Sequence, residues 1–141
     1  MAEADFKVAV LGCSGIGRLV STVVRQAVYL IERDRPGQVV VVGSGPLTGD
    51  VPEVLESARK YPLVVIDGCR PRCASAIAQG KGLPVAGSVY VADVIAQHRL
   101  SLMGEQREEL GEKGMALARA VADEALSKID WLIADEMAST L

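Results

Sequence analysis

The hydrophobic positions fall into two kinds of segment, short unbroken runs and longer stretches with helical spacing. Residues 8–11, 39–42 and 63–66 are wholly apolar and rich in β-branched side chains, a pattern that predicts buried strands. Residues 84–91 predict a fourth strand, interrupted by Gly87. Leu19, Val20, Val23, Val24, Ala27, Val28 and Ile31 recur on one helical face and predict a helix over 19–31, stopped by residues 34–37. Residues 43–49 read as a flexible loop. Asp50, Pro52 and Glu53 predict an N-cap with capping-box character and a helix to about residue 60. Pro71 predicts an early helical position and a helix over 71–79, closed by Gly80 and Gly82. A short helix over 93–98 follows. From residue 101 onward the pattern is helical, with Leu117, Val121, Ala125, Ile129, Leu132 and Ile133 on one face. Gly104, Gly111 and Gly114 mark a break in its first part.

Alternating strands and helices predict an α/β fold, a three-layer sandwich. Its sheet is mostly parallel with about four strands, and a long C-terminal helix completes it. The 141 residues suit one domain over 1–141. Crossovers should be right-handed, and parallel strands would place the loops after the first three strands, residues 12–17, 43–49 and 67–73, at the carboxyl edge, where ligands bind in such sheets. All three cysteines, Cys13, Cys69 and Cys73, fall in these loops.

Composition narrows the function. Half of the residues are hydrophobic, with one Phe, one Trp and three Tyr, so the core must be aliphatic. The net charge is -3 and no basic block stands out, so a nucleic-acid partner is not expected. Neither a signal-like start nor a membrane-length apolar run is seen, which predicts a cytoplasmic protein with no membrane partner. Three cysteines in a reducing compartment favour metal or thiol chemistry over a disulfide framework.

Cys69 and Cys73 are four residues apart, a spacing that on a helix puts both on one face about 5–6 Å apart. Two thiolates there can hold Zn²⁺ at about 2.3 Å each. A helix N-terminus, Arg70 and Arg72 would favour the thiolate forms. The plainer reading makes Cys73 a small core residue. With Cys13 as a third metal ligand, one position stays open, for Asp67, Ser44, Ser14, water or an exogenous ligand. Asp67 also reads as a helix cap. His98, the single histidine, lies in a charged stretch and reads as a surface residue. Three thiolates can also hold an iron–sulfur cluster with one unligated iron. In residues 12–17, Ser14 occupies the middle glycine position of a dinucleotide fingerprint, so that match fails. The turn from Cys13 to Arg18 is one residue short of a cysteine-phosphatase loop. The amides near Ser14 and Gly15 can still bind phosphate.

Three segments together resemble a known family. They are residues 13–17 with the helix that follows, the stretch Ile66-Asp67-Gly68-Cys69-Arg70-Pro71-Arg72-Cys73-Ala74, and the strand–helix join over 89–95. The chain resembles the DGC-domain family, named for the triplet present here as Asp67-Gly68-Cys69. Its members are described as zinc-binding proteins with four characteristic cysteines. The resemblance implies zinc ligation by Cys13, Cys69 and Cys73. The family's remaining cysteine falls near the end of the second strand, where this chain has Val42-Gly43-Ser44, so Ser44 stands in its place.

The expected function is thus metal binding at a three-cysteine site on the carboxyl edge of the sheet. The expected partner is a metal ion or a small anionic ligand. A thiol-based redox enzyme or sulfur carrier is one alternative. A phosphate- or nucleotide-binding domain built on the 12–17 turn is another. The C-terminal helix, with Trp131 and Met137 near its end, offers a surface for a homodimer, although completing the core is the usual role of such residues.

Overall fold

The computed structural model describes residues 5–13 and 15–140. Strand β1 (Val8–Gly12) leads to helix α1 (Leu19–Asp34), β2 (Val39–Val41), the short α2 (Ser44–Thr48) and α3 (Pro52–Lys60). Then come β3 (Leu63–Asp67), α4 (Cys73–Gly80), β4 (Val85–Tyr90), α5 (Val91–His98) and α6 (Glu112–Ser139). The four strands form one parallel sheet in the order β2-β1-β3-β4.

The unbroken apolar runs explain that order. Val8, Ala9, Val10 and Leu11 of β1, and all of β3, are buried on both faces, as central strands of a parallel sheet must be. β2 and β4 form the edges and are partly exposed, so the burial expected for residues 39–42 is corrected: β2 has a neighbouring strand on one side only, and Val42 alone of the four is buried. β4 runs through Gly87, with a register shift against β3 between Leu63 and Val64.

The chain steps one way from β1 to β2, then the other way to β3 and on to β4. Right-handed crossovers therefore send α1 to one face of the sheet and α2, α3 and α4 to the other. α6 returns to the α1 face, where it packs along α1 and across β1, β3 and β4. Leu117, Val121, Ala125 and Ile129 of α6 are buried, and Leu132 and Ile133 are half-buried. Two charge clusters lock this layer. Arg35 donates to both carboxylate oxygens of Asp130, at 2.8 and 2.7 Å. Arg119 reaches Asp34 at 2.8 Å and Asp123 at 2.7 Å. The Thr22 hydroxyl donates to the Arg107 carbonyl at 2.7 Å, tying the 101–111 segment to α1.

Several local expectations are corrected. Residues 44–48 form a helical turn rather than a flexible loop, with Leu47 buried beneath it. Val51, not Asp50, stands at the N-cap of α3, without a side-chain cap. Asp50 instead has φ 59° and pairs with Lys81 Nζ at 2.6 Å. Residues 101–111 are irregular, so the long helix starts only at Glu112. Gly114 lies inside it because a Cβ there would come within 2.9 Å of the Leu110 Cβ. Pro71 lies before α4, in a turn closed by the Arg72 amide on the Cys69 carbonyl at 3.0 Å. Arg72, at φ 52°, then swings the chain into a helix that begins at Cys73.

Among the described residues, no helix is long and apolar enough to cross a membrane.

Candidate functional site

The sheet changes winding direction between β1 and β3. Their following segments leave toward opposite faces, which opens a crevice at the carboxyl ends of these two strands. Cys13 follows β1 at this crevice, and Gly68 and Cys69 follow β3.

Cys13 is buried, and its amide donates to the Ile66 carbonyl at 3.1 Å. Its Sγ accepts a hydrogen bond from the Gly68 amide at 3.2 Å, and its thiol donates to Ser21 Oγ at 3.8 Å. Glycine is required opposite it. A Cβ on residue 68 would lie 3.0 Å from the Val20 carbonyl oxygen and 3.1 Å from the Cys13 sulfur. Burial pushes the Cys13 thiol above its ordinary pKa, and the charges of neighbouring Cys69 and Asp67 add to the rise. The hydrogen bonds with Gly68 and Ser21, which favour the thiolate when both groups donate to it, oppose the rise without reversing it.

Asp67 ends β3 fully buried. One carboxylate oxygen accepts the amides of Ala74 at 3.0 Å and Ser75 at 3.2 Å, and the other accepts the Ser75 hydroxyl. These bonds satisfy the first turn of α4 and place a negative charge at its N-terminus. They also fix where the helix begins. Cys69 consequently sits half-buried in the preceding turn, and Cys73 is the exposed first residue of α4. The shared helical face expected for this pair is not formed, because only Cys73 is helical. Arg72 stacks its guanidinium 4.1 Å above the Tyr90 ring, covering the end of β4.

The structure therefore brings Cys13 and Cys69 into one neighbourhood, while Cys73 is exposed at the start of α4 and is not brought to them in a common metal-holding group. Among the described residues, no three His, Cys, Asp or Glu side chains stand in a metal-holding group. Ser44 opens α2 and lines a cavity of about 170 Å³ together with Cys13. Gly15 is exposed in the turn before α1, and Ser14 lies outside the described residues. His98 is exposed at the end of α5.

Sequence reasoning passed over Gly68 and Ser21, the two partners of the Cys13 sulfur. Ser21 had a signal. It and Thr22 interrupt the apolar stripe of α1, and polar side chains on a buried helix face need partners. Gly68 showed only as the middle of the Asp67-Gly68-Cys69 triplet, and its role did not, since the contact it permits is with a residue far away in sequence.

A family model described as the DGC domain matches residues 9–114. The match takes in β2, β3, β4, all of β1 but Val8, and both cysteine-bearing loops. No curated protein and no solved structure matches the chain. With the match covering most of its length and the Asp67-Gly68-Cys69 triplet at the crevice, the chain belongs to the DGC-domain family.

Proposed function

We propose that the protein binds a zinc ion through Cys13, Cys69 and Cys73, with the fourth position left to a group other than cysteine. The observation that carries this reading is the Gly68 amide on the Cys13 sulfur, which holds the two cysteine-bearing loops together at the switch point of the sheet. Sulfur donors suit zinc, and an amide directed at a ligating sulfur is the outer-sphere support such sites use. The raised pKa of Cys13 argues against nucleophilic catalysis by this residue. A thiol that keeps its proton is a poor nucleophile, whereas a zinc ion displaces the proton. An open fourth position suits exchange or transfer rather than a purely structural ion.

The test is metal content after purification without added metal, for the wild type beside Cys69→Ser and Cys13→Ser. About one zinc per chain is expected in the wild type, because one tetrahedral ion uses all three thiolates. Both variants should lose it. A wild type that holds no metal and takes up none under reducing conditions overturns the reading.

A second reading, a thiol-based enzyme or sulfur carrier, is favoured by one observation: Cys69 and Cys73 both reach solvent. If either alkylates far faster than free cysteine at neutral pH in the zinc-free protein, this reading displaces the first.

A further inference from the structure

The cavity of about 170 Å³ beside Cys13 opens between the carboxyl ends of β1 and β2, against α1. Its walls are mainly hydrocarbon: Val28 from α1, and Val41 and Val42 at the end of β2. One cation enters this lining. Arg25 is half-buried, and among the described residues it makes no hydrogen bond, ion pair or ring contact. No acid lies one turn away from it on α1. The residues there are Ser21, Thr22, Val28 and Tyr29. By contrast, the other half-buried arginines, Arg35 and Arg119, both pair with carboxylates.

A half-buried arginine beside an apolar wall, with no anion of its own, is matched by a ligand that carries the missing charge. The wall demands that the rest of the ligand be hydrocarbon. At roughly 30 Å³ per water-sized group, the space holds about six such groups, the size range of a short-chain acid. We infer that this pocket binds a short-chain aliphatic monocarboxylate, its carboxylate on Arg25 and its tail among Val28, Val41 and Val42. Phosphate and sulfate fit less well, because they present no apolar surface to the valines and bring more charge than one guanidinium offsets. Cys13 also lines the pocket, so a bound acid lies beside the thiol site. The inference does not depend on that site holding zinc.

Isovalerate is the probe, with neutral isovaleramide as its isostere and acetate as the truncated acid. Each is titrated into chelator-treated wild type and into Cys69→Ser while the amide resonances of Val42 and Tyr29 are followed. Loss of the zinc site therefore cannot mimic failure of the pocket. Isovalerate should bind about tenfold more tightly than isovaleramide, the scale of one charge-assisted hydrogen bond. It should also bind more tightly than acetate. Arg25→Gln should bring isovalerate down to the level of the amide, and Val41→Phe should weaken both by filling the pocket. Equal affinity for acid and amide in the wild type overturns the inference, and that comparison requires no variant to fold. Wild-type affinity in a folded Arg25→Gln protein, or no shift at millimolar isovalerate, overturns it as well.

Discussion

The Gly68 amide donates to the Cys13 sulfur at 3.2 Å, across 55 positions of sequence. The same glycine has no room for a Cβ, since one would fall 3.0 Å from the Val20 carbonyl oxygen. Gly68→Ala should therefore cost about 1–3 kcal/mol of stability, the usual penalty of inserting a methyl into a filled space. Urea denaturation measures this. Labelling of Cys13 by a small alkylating agent should also accelerate as the two loops separate. An unchanged midpoint with unchanged labelling would show that the loops are not coupled through this contact.

The raised pKa of Cys13 gives a pH dependence with a definite sign. The unfolded chain releases this proton near the ordinary value of 9.0, while the folded protein still retains it. In that interval the folded state binds more protons, so stability falls as pH rises. The contribution is complete below the unfolded value and is lost as pH climbs through the folded one. Urea midpoints compared from neutral to alkaline pH should show the decline, and it should be weaker in Cys13→Ser.

Asp67 caps α4 from six residues ahead of the helix. Asp67→Ala removes the acceptor for the Ala74 and Ser75 amides and the charge at the helix N-terminus. A loss of about 2–3 kcal/mol is expected. Asp67→Asn keeps a carbonyl acceptor and should lose about 1 kcal/mol. Denaturation of the two variants side by side checks the ordering, and equal losses would contradict the capping role.

At the other end of the pH range, Arg35 holds Asp130 below its ordinary carboxylate value, and Arg119 does the same for Asp34. The unfolded chain takes up these protons first as pH falls past about 3.8. Stability present above that value is therefore lost below it. Asp130→Asn should flatten the acid limb, as circular dichroism across an acid titration would record. The effect should shrink in high salt, since both pairs lie near the surface.

The strands were legible because an unbroken run of β-branched residues carries its extended conformation locally; its burial was not, since the apolar run of β2 lies at a sheet edge with Val41 exposed. The long helix was legible from the stripe of Leu117, Val121, Ala125 and Ile129. The start of α4 was not. Pro71 fits a first helical turn and a preceding turn equally well. The choice is made by Asp67, whose carboxylate reaches Ala74 and Ser75. That misplacement carried Cys69 onto a helix it does not join. Residues 44–48 misled for a similar reason, because two glycines and a proline mask a turn that forms over buried Leu47. Of the site, the meeting of the loops that carry Cys13 and Cys69 was readable from strand order alone. The sulfur–amide contact was not, because it depends on a distance between segments far apart in sequence.

The packing of α6 on α1 has a consequence for the order of events in folding. Helix α1, buried along Val23, Val24, Ala27 and Ile31, finds part of its packing partner only in residues 112–139, some 90 positions later. Such distant pairing slows folding, since a long loop must close before it is rewarded. On the ribosome, α1 and the sheet will have been made well before that cover emerges. Until then the nascent chain presents an uncovered aliphatic surface, the kind of surface chaperones recognise and aggregates grow from.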